Sequence, residues 1–286
     1  MTPLRQQMIE AMRVRGFSAR THQSYLGAVT DLARYYRRSP EVLSVAELGA
    51  YFRYLACERE LSGASCRLYL NAIRFLYLRV LGWPSFDVAI AIPKRAQRIP
   101  ELLTRREVVA ILAACANLKH RMLLATCYGA GLRVSELMAL RVCDIDGERR
   151  LLRVRQGKGA KDRLVPLGAT LLTQLRAYYR VVRPPVWLFP RVSSPQQPLS
   201  ISTAQRVFTR AKARAGVVKV GGIHGLRHAY ATHQLEGGLP VHRLQQLLGH
   251  QDLHSTQRYL HWVGDDRESE RWDGDLLATL GEVNHG

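Results

Sequence analysis

A mainly α-helical protein of two domains, with one small β-hairpin in the second (an α+β arrangement), is the fold class this sequence predicts. Three observations carry that expectation. Apolar residues recur at helical spacing behind repeated cap signals over residues 1–82. A proline-marked break at 83–100 separates them from a second helical stretch. Two short alternating runs, 151–155 and 163–167, flank a glycine-rich turn at 157–162. At 286 residues the chain has room for two domains of ordinary size.

In the first domain Ser18 is a candidate N-cap for a helix carrying Tyr25, Leu26, Val29, Leu32, Ala33, Tyr35 and Tyr36. Ser44-Val-Ala-Glu47 has the spacing of a capping box, ahead of Leu48, Tyr51, Phe52 and Leu55. Ser62-Gly-Ala-Ser65 opens a further helix with Leu68, Tyr69, Ile73, Leu76 and Tyr77. The expected result is a four-helix domain with basic faces, since Arg20, Arg67 and Arg74 fall among the apolar positions. Pro84, Pro93 and Pro100 bracket the basic run containing Lys94 and Arg95, which reads as a linker able to lie along a phosphate backbone. Thr104 and Glu107 make a second capping box and start the second domain. That domain is helical to about 141, then forms the hairpin, then is helical again from about 169, with a proline-rich loop over 184–200.

The chain carries a formal charge of +19, distributed as +7 over 1–95, +17 over 96–263 and −5 over 264–286. Such a basic body is the electrostatic footprint of a nucleic-acid binder. Its hydrophobic content, 47%, excludes wholesale disorder. No apolar run is long enough to cross a bilayer, and the N-terminal residues lack the apolar core of a signal peptide. Five cysteines with no Cys-x-x-Cys pair point to reduced thiols. The expected location is cytoplasmic, associated with the nucleoid.

Four groups carry candidate chemistry. Gly131-Leu-Arg133-Val-Ser-Glu136 places Arg133 and Glu136 three apart, the spacing of one helix face, where the carboxylate can hold the guanidinium. Taken alone, such a pair is an ordinary surface ion pair. Lys158 and Lys161 sit on the hairpin turn, either as a solvated turn or as a proton donor beside other cations. His224-Gly-Leu-Arg227-His228 puts His224 and Arg227 on one helix face. A zinc reading of His224 and His228 fails because Gly225 stands where a metalloprotease needs Glu, so no metal is expected. His250 precedes Tyr259 by nine residues. Two guanidinium groups can hold a phosphate in bidentate fashion and a phenol can attack it.

Arg133, Lys158, His224-x-x-Arg227, His250 and Tyr259, in this order and with their surrounding words, resemble the signature of the tyrosine recombinases. This is the integrase/Xer class of site-specific DNA recombinases, the phage integrase family. The matching words are Gly-Leu-Arg-Val-Ser-Glu-Leu, Gly-Lys-Gly-x-Lys-x-Arg-x-Val-Pro-Leu, His-x-Leu-Arg-His-x-x-Ala-Thr-His, Leu-Leu-Gly-His and Thr-Gln-x-Tyr. The resemblance implies an N-terminal four-helix SAM-like core-binding domain over 1–82, a linker over 83–100 and a catalytic domain over 101–286, including the tail 264–286. It implies that Tyr259 attacks a scissile phosphate to give a 3′-phosphotyrosyl link, with Arg133 and Arg227 on the nonbridging oxygens. His250 would hydrogen-bond the phosphate, His224 would assist proton handling, Glu136 would steady Arg133, and Lys158, in preference to Lys161, would protonate the 5′-oxygen.

No cofactor is needed in such a scheme, because bond energy is kept in the ester. The implied partner is double-stranded DNA with a recombination site, bound for integration, excision or resolution of mobile or replicon DNA. The implied assembly is a monomer when free and a homotetramer on paired sites, each tail docking on a neighbour; no membrane is involved. Two alternatives share parts of the pattern. A type IB topoisomerase would relax supercoils without strand exchange, and a DNA-binding regulator would be indifferent to replacement of Tyr259.

Overall fold

In the computed structural model the described residues are 2–88, 101–155, 162–250, 252–257, 259–260 and 275–282. The chain divides into two units, Met1–Arg98 and Ile99–Gly286. The linker residues Lys94 and Arg95 and the hairpin lysines Lys158 and Lys161 lie outside the described residues.

The first unit contains α1 (Pro3–Val14), α2 (Ala19–Tyr36), α3 (Val45–Arg53) and α4 (Gly63–Arg79). Each begins where a side-chain oxygen takes an orphan backbone N–H. Thr2 accepts from Arg5, Ser18 from Thr21 and Ser62 from Ser65, while Ser44 and Glu47 close the full capping box. Beyond α3 the chain continues as a π-helical stretch, Tyr54–Glu58, that the spacing does not announce. Met8, Met12, Leu32, Leu48, Leu55, Ile73, Leu76 and Tyr77 make the core. Leu68, expected inside, is 38% exposed. At 100° per residue it stands about 140° around α4 from Ile73, so it cannot share the buried stripe. Tyr35 is likewise exposed, its ring packed among Tyr36, Tyr51 and Tyr54. Arg20, Arg67 and Arg74 are all exposed, and the seven-residue step puts the last two on one face of α4.

In the second unit α5 (Arg105–Ala113) starts at the Thr104/Glu107 capping box and α6 (Leu118–Gly129) at Asn117. Then come α7 (Val134–Met138), β1 (Ile145–Asp146), β2 (Leu151–Val154), β3 (Arg163–Pro166) and α8 (Ala169–Val182). The strands form an antiparallel sheet in the order β1-β2-β3, with Leu152 opposite Val165 and Val154 opposite Arg163. The hairpin is the expected one; β1, two residues long, has no period to read. Helices α9 (Ile201–Arg214), α10 (His224–Glu236), α11 (Val241–Leu248), α12 (His254–Gln257) and α13 (Leu276–Glu282) complete the unit. Helix α10 is the axis: residues 229–235 are all buried, and α5, α6, α11 and α13 pack around it. A helix buried on all sides can direct polar side chains only toward protein partners, and that is how this unit builds its site.

The tail helix α13 packs within its own chain, against α5, α6, α8 and α10. Leu276, Leu277 and Leu280 are 6–7% exposed there, and Arg105 Nη1 donates to Thr279 Oγ1 at 2.9 Å. Asp275 does a second job. Helix α8 has Gly168 as N-cap, with no side chain to offer, and Asp275 Oδ2 accepts instead from Thr170 N at 2.7 Å. Replacing Asp275 by Ala should therefore cost about 1 kcal/mol, the ordinary value of a lost cap, as read in the urea midpoint. An unchanged midpoint would show that α8 does not depend on this cap.

Candidate active site

Three chain turns deliver the site. Helix α6 ends at Gly129, and two residues later Gly131 turns left-handed, φ +58°. A Cβ there would lie 2.4 Å from the Tyr230 ring of α10, so only glycine passes. This close passage sets Arg133 as the residue capping α7 and points the Gly131 carbonyl at α10. Helix α11 ends at Gly249, also left-handed at φ +63°, which brings His250 back toward α10. Strand β3 begins with Arg163, the first residue after the hairpin turn.

Three arginines meet where these turns converge. At the C-terminus of α11 the successive carbonyls of Leu247, Leu248 and Gly249 accept from Arg163 Nε (2.8 Å), Arg227 Nη2 (2.7 Å) and Arg133 Nη2 (3.2 Å). These carbonyls are the ones a helix end leaves without partners and where its dipole is negative. The same three arginines surround one carboxylate. Arg133 Nη1 reaches Glu136 Oε1 at 2.7 Å, and Arg163 grips both oxygens at 2.8 Å. Arg227 Nη1 stands 3.7 Å from Oε2 and donates to Gly131 O at 2.8 Å. Arg227 is 1% exposed and Glu136 5%.

Charge in this cluster follows from that packing. Burial alone pushes the Glu136 carboxyl up. The Arg163 hydrogen bonds and charge, with the Arg133 backbone and side chain, outweigh it and hold the carboxyl at about 2. Burial, with Arg133 next, pulls Arg227 down to about 10, still fully cationic at neutral pH.

Around this cradle lie the imidazoles and the phenol. His250 Nε2 is 3.1 Å from Arg227 Nη2, and because arginine has no acceptor, Nε2 accepts. Its Nδ1 then donates to Thr256 Oγ1 at 2.8 Å. Thr256, fully buried, also accepts the Tyr259 backbone N–H through its carbonyl at 3.0 Å. Tyr259 is 2% exposed, its ring parallel to that of His250 at 6.5 Å between centroids, and its hydroxyl 2.8 Å from His228 Nδ1.

The structure brings Arg133, Glu136, Arg227, His250 and Tyr259 together. Arg133 and Glu136 do not share a helix face as their spacing suggests. Arg133 precedes α7 with extended φ −69°, ψ 149°, and the pair closes as a capping box, Glu136 Oε2 also accepting the Arg133 N–H at 2.9 Å. His224 opens α10, exposed, and meets the His228 ring edge-on at 4.6 Å. The phenol contacts His228. Arg163, Thr256 and His228 are site residues that spacing did not pick out. Each stands inside a quoted motif, Arg163 as the arginine before Val-Pro-Leu and Thr256 as the threonine of Thr-Gln-x-Tyr. Among the described residues no three His, Cys, Asp or Glu side chains gather as a metal-binding group.

The lowered Glu136 pKa has a definite pH signature. A folded pKa of about 2 against an ordinary 4.5 stabilises the fold above pH 4.5 by about 3 kcal/mol, and this is lost as pH falls toward 2. Glu136→Gln should lose a similar amount at pH 7 and show a flatter acid profile in urea unfolding between pH 5 and 2. Equal acid slopes in both proteins would refute the role of this carboxylate.

The phage integrase family model matches residues 101–263, and the phage integrase N-terminal SAM-like domain model matches residues 4–85. The Sinorhizobium fredii protein y4qK, described as an integrase/recombinase, is 41% identical over 262 residues, covering 91% of this chain and 84% of its own length. The tyrosine recombinase XerA of Thermococcus onnurineus is 37% identical over 231 residues, 79% of this chain and 81% of its own. Among solved structures, a lambda integrase fragment, crystallised as a dimer on a core site, is 23% identical with a TM-score of 0.72 over 92% of this chain and 94% of that one. At that identity the likeness speaks for the fold. The chain belongs to the phage integrase family and is a tyrosine recombinase, an enzyme that cuts and rejoins DNA at specific sites.

Proposed function

We propose that Tyr259 is the nucleophile of this recombinase and that Arg133, Arg227 and His250 hold the scissile phosphate it attacks. The observation that carries this reading is the chain of contacts joining these four side chains, Arg133 and Arg227 at Glu136, His250 3.1 Å from Arg227 and the phenol ring parallel to His250. Two groups so close can address one nonbridging oxygen or two adjacent ones, Arg227 as a donor already and His250 once its Nε2, which accepts from Arg227 here, carries a proton. The Tyr259 oxygen forms a bond to phosphorus as the bond to the 5′-oxygen breaks, and Lys158 gives that oxygen its proton. The product is a 3′-phosphotyrosyl ester, which a partner strand's 5′-hydroxyl reopens. Preorganised donors around the developing charge supply the rate enhancement, roughly 10²–10³ for each.

Residues 1–82 serve, in this reading, as the core-binding domain. Exposed Arg20, Arg67 and Arg74 meet phosphates there, with Lys94, Arg95 and Lys161 adding to the same backbone contacts. The partner is a duplex carrying a recombination site, and action on DNA places the protein at the nucleoid. A monomer binds one site and four chains assemble on paired sites. The acidic tail supports that assembly, since α13 presents three leucines beside acidic residues to a basic domain. Docking on a neighbour then requires α13 to leave the groove it fills in its own chain.

Tyr259→Phe should abolish covalent attachment to DNA while leaving affinity within about twofold of wild type. An adduct that survives denaturation in this variant would refute the assignment. Lys158→Ala should regain cleavage on a 5′-phosphorothiolate substrate, whose sulfur leaves without a proton; rescue of Lys161→Ala instead would move the acid to Lys161. Removing residues 273–286 should spare single-site binding in gel shifts but block synapsis, and full-rate recombination would deny the tail its role.

A further inference from the structure

We propose that His228 takes the proton from the Tyr259 hydroxyl as that oxygen attacks phosphorus, an inference that rests on Tyr259 being the nucleophile. The Tyr259 hydroxyl lies 2.8 Å from His228 Nδ1, within direct proton-transfer distance. His224, to which the family resemblance gives proton handling, stands at the exposed first residue of α10 with its ring against that of His228. In the neutral imidazole the phenol donates to Nδ1 and the ring proton sits on Nε2.

The placement of neighbours supports this division of labour. Arg227 and His228 are consecutive on α10, yet they serve different ends. Arg227 reaches the Gly131 and Leu248 carbonyls and His250, while His228 reaches the phenol. Tyr259 thus has the phosphate-holding groups on its His250 side and the proton acceptor at its hydroxyl. A phenol with a pKa near 10 is ionised only about one part in 10³ at pH 7, so an acceptor in contact removes a real barrier. In the forward step the Tyr259 O–P bond forms and the phenolic proton moves to His228 Nδ1, giving the imidazolium. The P–O5′ bond breaks, and the 5′-oxygen takes its proton from the hairpin lysine. In rejoining, the 5′-hydroxyl attacks, its proton passes back to the hairpin lysine, and His228 returns its own proton to the departing phenolate.

The test is single-turnover cleavage of a nicked duplex that traps the covalent adduct, using wild type, His228→Asn and His228→Ala. Asparagine keeps a hydrogen-bond acceptor near the position of Nδ1 but is not a base. Both variants should cleave roughly 10²-fold or more slowly, with DNA affinity and thermal midpoint near wild type. The wild-type rate should fall on the acid side as the imidazole is protonated, and His228→Asn should lack that fall. Titratable groups in contact with His228 include His224 from its own helix and Tyr259 from the segment beyond α11, and behind Tyr259 stand His250 and, against it, Arg227. Neither variant should be rescued by a 5′-phosphorothiolate, which relieves the acid and not the base. A wild-type rate in His228→Asn would overturn the proposal, because a bare acceptor would then suffice, and so would phosphorothiolate rescue. If the alanine variant fails to fold, the asparagine variant carries the test alone. A covalent adduct in Tyr259→Phe would instead overturn the reading of the nucleophile, and is scored on a separate protein.

Discussion

The Glu136 carboxylate is the constraint on which the catalytic unit turns. Three guanidinium groups within one small volume repel one another, and two of them are largely buried. Nothing apolar can hold such a group together. One carboxylate shared among the three, with a carbonyl from the end of α11 for each, makes the arrangement possible. Each arginine comes from a different place in the chain: the turn after α6, the foot of the hairpin and the first turn of α10. Through Glu136 and α11 those places are tied to one another.

That linkage explains why the backbone is so particular nearby. Gly131 lets the turn after α6 lie against Tyr230, and the same turn offers its carbonyl to Arg227. Gly249 ends α11 so that its last carbonyls face the arginines while His250 swings toward Thr256. A side chain at Gly249 would stand 3.1 Å from Arg163 as well as requiring a left-handed backbone. Packing, capping and charge neutralisation are here a single set of contacts.

Much of this was legible in the sequence, and the pattern of what was not is instructive. Caps such as Ser18, Ser44 and Thr104 are local, and a local signal survives tertiary packing. The family was legible because the words between Arg133 and Tyr259 are dense and specific. What the sequence hid comes from two causes, a helix start that shifts by a residue and contacts made across long sequence separations. Arg133 and Glu136 read as a helix pair three apart, while the true geometry depends on where α7 begins. Arg163 touches Glu136 from 27 residues away and Leu247 from 84. His228 looks like the second member of a failed zinc pair until Tyr259 arrives from 31 residues on. The seat of α13 on its own chain has no sequence signal either, because its fit over α8 depends on the missing side chain at Gly168.

The charge balance of the cradle also fits the reaction. Three guanidinium groups against one carboxylate leave two net positive charges, which α11 softens with carbonyl dipoles but does not cancel. A phosphodiester brings one negative charge and the pentacovalent arrangement at phosphorus about two, so the site complements the transition state better than the ground state. With a second carboxylate the match would favour neither state. With none, the fold would have to hold three uncompensated cations in a largely buried cluster. A single shared Glu136 is the composition that suits both the fold and the proposed chemistry. It also keeps proton traffic out of the cradle, because arginines held cationic neither give nor take protons near neutral pH. In the proposed scheme the acid and base duties therefore fall to other groups, a lysine of the hairpin and the His228 imidazole that meets the phenol.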